Sequence, residues 1–239
     1  MRGRNPVLNE NTFNVSRTGA ESMTIDGVVN KCVLLLFLVL GGAVATWSTA
    51  DTVGPLLGIA GGVAGFVLSL ITIFARRFAF VTAPLYALAE GAFLGFVSNV
   101  TEVGAPGAVM TAVLGTFGTF FSLLVIYRLR LIAVTENFRL GVAAATMGLA
   151  LLYLLTFVLG LFGVRVPYLH ESGLIGIGIS LFAIVVASLN LVLDFDFIER
   201  GAEQGAPKET EWYASFGLVV TLVWLYIEML RLASKLSRR

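Results

Sequence analysis

Seven apolar runs, each about twenty residues long, decide what this chain can fold into. They fall at about 31–49, 54–75, 79–98, 107–127, 141–162, 173–197 and 213–232. A helix of about 20 residues crosses the hydrocarbon core of a bilayer. Lipid offers the backbone no hydrogen-bond partner, so each run must be helical to cross. Composition agrees: of 239 residues, 57% are hydrophobic and 13% charged, with a mean hydropathy of +0.90. An average soluble domain is roughly 25% charged. Seven spans consume roughly 140 residues, which leaves no room for a second folded domain. The expectation is an all-α integral membrane protein, a seven-transmembrane-helix bundle over residues 31–239. Residues 1–30 are polar and read as a mobile cytosolic tail with no cleavable leader, the first span serving as the insertion signal.

Gly, Pro and charge mark the breaks between runs. With the N-terminus inside, the inner segments carry Arg2, Arg4, Arg17, Lys31, Arg76, Arg77, Arg128, Arg130, Arg139, Arg200 and Lys208, and the outer loops carry Arg165. That asymmetry fits the positive-inside rule. The C-terminal tail, with Arg231, Lys235, Arg238 and Arg239, runs against it. Either the earlier spans fix the topology or the last helix stops short; seven full spans are expected. Gly58, Gly62, Gly61, Gly65, Gly91 and Gly95 recur at four-residue spacing, with Gly115 and Gly118 nearby. Such stripes let helix backbones approach closely. Pro84 falls inside the third span, where a kink is expected.

Acids inside the spans carry more information. A charged carboxylate near the bilayer centre costs about 2.5–3.5 kcal/mol on insertion scales. Glu90 stands mid-span in APLYALAEGAFLG, Asp194 and Asp196 near the inner end of the sixth span, and Glu228 near the outer end of the seventh. Asp194 and Asp196 are two residues apart, about 200° around a helix, so they face different ways. Asp196, Glu199 and Arg200 share a face and read as a water-facing cytosolic rim. Asp194 shares its face with Asn190 and apolar residues, and is expected to look into the bundle. Glu90 is either a structural, hydrogen-bonded glutamate or part of an ion path. Glu228 reads as interfacial, within reach of Arg231. His170, the sole histidine, reads as a solvated loop residue.

The sequence offers no catalytic framework. Cys32 is the single cysteine, so there is no internal disulfide and no thiol metal site. One histidine cannot hold a catalytic zinc. There is no HExxH, no GxSG serine motif, no GxGD aspartyl motif, no P-loop, no TVGYG filter and no mid-span lysine for a Schiff base. With a net charge of +1, no basic surface points to nucleic acid. No cofactor and no bound metal are expected, and the chain reads as no enzyme.

The order of FARRFAF, PLYALAEGAFLGFVS, VLGTFGTFFSLLVIYRL, LVLDFDFIE and VTLVWLYIEMLRL resembles the Bax inhibitor family of membrane proteins over roughly residues 30–236. PLYALAEGAFLG is similar to its bacterial YccA/YetJ-like branch. The resemblance implies two groups of three helices around the seventh, in a bacterial inner membrane with the N-terminus cytoplasmic. It implies a pH-sensitive calcium leak channel, with calcium as the transported ion. A sixth-helix aspartate would pair with one on the seventh, and a second-helix arginine would latch the closed state. Asp194 takes the first position, and Arg76 or Arg77 the latch. Counting back from Arg231, the second aspartate's position falls on Thr221, which departs from the pattern. Asp194, Glu90 and Glu228 would then form a staircase of acids if they face one another. Two rival functions remain. One is a non-conducting regulator of a membrane protease such as FtsH, presenting its N-terminal tail. The other is a proton-coupled cation exchanger.

Overall fold

The computed structural model describes residues 22–163 and 173–237. Arg2, Arg4, Arg17, Arg165, His170, Arg238 and Arg239 lie outside the described residues. Within them run α1 (Ile25–Ser48), α2 (Gly54–Phe74), α3 (Ala79–Gly104), α4 (Ala108–Arg128), α5 (Glu136–Leu161), α6 (Leu174–Glu203) and α7 (Thr210–Ser237). All seven are long and apolar enough to cross a membrane, and no strand occurs among the described residues. Phe37, Leu56 and Phe74 are 67%, 70% and 84% exposed. Side chains of this kind around a whole bundle face lipid, because water would drive them together. The chain is an integral membrane protein.

Local chemistry sets the helix ends. Thr24 accepts from the Gly27 N–H at 3.0 Å and caps α1, so this helix begins at Ile25, earlier than hydropathy placed it. Thr135 caps α5 in the same way, from Phe138 N–H at 3.2 Å. Glu102, at the end of α3, accepts from Gly107 N–H at 2.7 Å and Val109 N–H at 3.0 Å. It thereby serves the free amides that open α4, where Gly107 has a φ of 83° and no side chain. A 3-10 turn, Arg76–Phe78, joins α2 to α3, and α3 runs through Pro84 without interruption.

The bundle has two groups around one helix. α3 packs against α1 and α2; α6 packs against α4 and α5; α7 packs against α1, α3, α4 and α6. The glycine stripes explain the first group. A Cβ on Gly61 would lie 2.5 Å from the Ala89 carbonyl oxygen, and Gly91 and Gly95 press against the α1 backbone at Val39 and Ala43. Gly118, by contrast, has nothing near it and takes no part in packing. α6 and α7 are the most buried helices, with Leu191, Val192, Val219 and Leu225 fully enclosed. Edge-to-face rings tie them to their neighbours: Tyr86 with Phe216 at 5.0 Å and Phe120 with Phe195 at 5.7 Å.

Candidate functional site

The run DFDFIER lies on the last turns of α6, and helical geometry splits its acids as the two-residue spacing requires. Asp194 points inward, with the Thr221 hydroxyl of α7 beside it and Cys32 of α1 close by. Its Oδ2 is buried and has no hydrogen-bond partner. The Thr221 hydroxyl donates to Gly217 O in its own helix at 3.2 Å. That is long for a hydroxyl donor, so the same group can turn to the carboxyl. Asn190, one turn earlier, is occupied elsewhere: its amide donates to Val186 O and to Thr146 Oγ1 of α5, both at 2.8 Å. A buried carboxyl oxygen without a partner carries a desolvation cost.

Asp196 differs from its expected place on a water-facing rim. It is 8% exposed and forms an ion pair with Arg139 of α5, while Arg200 Nε reaches its other oxygen at 3.0 Å. Glu199 accepts from the Tyr127 hydroxyl of α4. Together these bonds fasten α6 to both partners of its group. The reason is geometric: at this end α4 and α5 close over the face that Asp196 and Glu199 share.

Glu228 also differs from its interfacial expectation. It is 1% exposed, accepts from Tyr153 Oη of α5 at 2.9 Å and meets Arg231 at 3.2 Å. The pairing with Arg231 holds; the exposure does not, because α5 supplies a phenol that covers it. Lys235 is buried too and donates to Gly176 O at 2.7 Å and Ser180 Oγ at 3.0 Å on α6. Lys235 is therefore part of the bundle interior, and Arg231, its side chain 36% exposed, turns back onto the buried Glu228. That removes much of the conflict between the basic C-terminal segment and the positive-inside rule.

A further cluster escaped the sequence reading. Glu211, fully buried, pairs with Lys31 and accepts from Thr24 N–H at 2.9 Å and Thr24 Oγ1 at 3.1 Å. Ser215 donates to Val28 O at 2.9 Å. Ser22 forms an isolated antiparallel bridge with Pro207, and Met23 N–H donates to Ala206 O at 2.7 Å. The start of α1 is thus seated on the α6–α7 turn. The one signal in the sequence was an acid and a lysine flanking two apolar runs, which hydropathy assigns to loops.

With the geometry known, comparison with known proteins adds the family. A family model described as Bax inhibitor 1 like matches residues 5–238. The chain belongs to the Bax inhibitor 1-like family. No curated protein and no solved structure matches it.

Within this Bax inhibitor 1-like chain, the positions singled out by the resemblance are placed unevenly. Asp194 and Thr221 stand side by side across α6 and α7. Neither arginine contacts Asp194: the Arg76 guanidinium lies 4.8 Å over the Tyr213 ring and Arg77 4.6 Å over Phe78. Glu90 lies against Gly65 in the α2–α3 interface. No hydrogen bond or ion pair joins Glu90 to Asp194 or Glu228 among the described residues, so the three acids form no connected staircase. Among the described residues no group of three or more His, Cys, Asp and Glu gathers as a metal site.

Proposed function

We propose that this Bax inhibitor 1-like protein is a proton-gated cation leak of the bacterial YccA/YetJ-like branch, with Asp194 as the gate and calcium as the ion. The observation that carries the reading is the buried Oδ2 of Asp194, which has no partner. Its surroundings are sparse in charge. Cys32 faces it from α1 and Thr221 from α7, while Arg139 of α5 and Arg200 of α6 are engaged with Asp196 and the Tyr127 hydroxyl of α4 with Glu199. A proton arriving at Asp194 therefore changes the local charge without first breaking an ion pair. Carboxyl and carbonyl oxygens are the ligands a hard cation such as calcium prefers. Arg76 on Tyr213 and Arg77 on Phe78 support reading this conformation as one with the latch arginine released.

In this reading the membrane is a bacterial inner membrane, and the end carrying Arg76, Arg77, Arg128, Arg130 and Arg200 is cytoplasmic, by the positive-inside rule. Calcium flux into liposomes, measured across pH for the wild type and Asp194→Asn, is the test. The wild type should leak in a pH-dependent way and the variant should leak independently of pH. Equal pH dependence in both, at equal incorporation, refutes Asp194 as the gate. Absence of flux at every pH favours the non-conducting regulator of a membrane protease. Uphill cation movement driven by a pH gradient favours the exchanger.

A further inference from the structure

α1 and α4 barely touch, and the space between them is a cleft floored by the end of α6 and, further along, by α7. Its half at the basic end has a volume of about 820 Å³. Leu36 and Phe117 join it to a smaller, almost wholly apolar half of about 440 Å³ toward the other end. The walls are apolar and half open to the bilayer: Val33 is 46% exposed, Phe121 57% and Leu124 38%. The mouth at the basic end is different. There Arg128 closes α4, and Arg130 follows in the left-handed region with a φ of 55°.

The charges at this mouth do not cancel. Asp196 is engaged by Arg139 and Arg200, while Glu199 accepts from the neutral Tyr127 hydroxyl and is, among the described residues, the one carboxylate of the mouth without an ion pair, set against Arg128 and Arg130. Arg128 and Arg130 are both exposed, and among the described residues neither has an acidic partner. Two guanidinium groups without an acidic partner thus stand at the head of a long apolar slot, at the end of the membrane-spanning helix α4. Arginine matches phosphate by paired N–H donors, and basic pockets between transmembrane helices are headgroup sites for anionic lipids.

We propose that the α1–α4 cleft is a binding site for one anionic phospholipid, its phosphate on Arg128 and Arg130 and an acyl chain along Val33, Phe117, Phe121 and Leu124. Its wall includes Cys32, which also faces Asp194, but lipid binding there does not depend on cation conduction.

Native mass spectrometry of the purified full chain tests it, with equimolar phosphatidylglycerol and phosphatidylcholine of matched acyl chains. The wild type should retain one phosphatidylglycerol per chain, with a preference of roughly tenfold or more, the attraction expected of two arginines. Arg128→Gln combined with Arg130→Gln should bring the preference to within about twofold, the level expected once both headgroup charges are gone. Val33→Trp and, separately, Leu124→Trp keep both arginines and fill the slot from lipid-exposed positions. Each should abolish the retained lipid. Equal retention of the two lipids, no retained lipid, or an unchanged preference in the Gln pair overturns the proposal. So does loss in the Gln pair but not in the Trp variants, which would mean surface attraction without a groove. A lipid-free dimer of the wild type would give the cleft to a second copy instead.

Discussion

The bond most open to a quantitative check is Glu211 with Lys31, because it ties the first helix to the last. Glu211→Gln keeps Oε1 as the acceptor for Thr24 N–H and Oγ1 at 2.9 and 3.1 Å. It places an amide donor where Oε2 met the Lys31 ammonium, so one charge-assisted bond is lost. Such a bond is worth about 1.5–3 kcal/mol. Breaking a fully buried pair costs about 3–5 kcal/mol, but the Lys31 side chain is 19% exposed and can turn to water. The loss should therefore be about 2 kcal/mol. For a chain of this size each kcal/mol moves Tm by about 2–4 °C, so Tm should fall by roughly 4–8 °C. Cys32, buried and the sole cysteine, makes thermal unfolding in detergent readable by a thiol-reactive fluorophore. Lys31→Met in the Gln background should cost far less than the two single changes added, with a coupling of at least about 1 kcal/mol. A Tm within about 1 °C of wild type for Glu211→Gln, set against the shift expected above, would refute the pair as a clasp. Strictly additive losses would do the same.

Three further outcomes follow from the packing and the charge distribution. Gly61→Ala should destabilise by about 1–3 kcal/mol through overpacking against Ala89, whereas Gly118→Ala, with nothing near its Cβ, should be neutral or stabilising by up to about 1 kcal/mol; equal melting of the two would contradict the glycine interface. Thr221→Asp should move the midpoint of the flux–pH curve to higher pH, since two adjacent carboxyls share a proton; an unmoved midpoint would mean that position 221 does not communicate with Asp194. In intact cells, Asp51→Cys should react with an impermeant maleimide and Arg77→Cys should not, and the reverse pattern would invert the proposed orientation.

The seven spans were legible because lipid imposes a length and an apolarity that few other environments demand. The opposed faces of Asp194 and Asp196 were legible from the 100° step of a helix alone, and the glycine stripes from their spacing. The depth of Glu228 was not, since its cover comes from Tyr153 on another helix. Lys31 and Glu211 stand 180 residues apart, and each flanks an apolar run, which is where solvated charges also gather. Hydropathy reads a charge near a span end as a loop; only the packed bundle shows that Lys235 is buried and that Arg231 turns back onto Glu228. The same limit hid the ion pair of Asp196 with Arg139, because the face of α5 that meets α6 has no marking in the sequence beyond the arginine itself.

These buried charges make α7 an unequal element along its length. Toward the basic end Glu211 binds it to α1. Toward the other end Glu228 and Lys235 bind it to α5 and α6. Movement at either place must first break bonds whose loss leaves a charge uncompensated, at a cost of several kcal/mol. Between them Thr221 meets Asp194 with no ion pair and a single long bond of its own. In the proposed gate, a change of charge there would alter the balance between α6 and α7 while both ends stay fastened. Displacement of α7 as a rigid body is then disfavoured, and a local adjustment around residues 217–221 is the less costly response. Substitutions that weaken the end clusters should consequently lower stability more than they alter the response to pH. Substitutions at Asp194 and Thr221 should do the reverse. That separation of effects distinguishes the proposed gate, between the inner part of α6 and the middle of α7, from a bundle that opens as a whole.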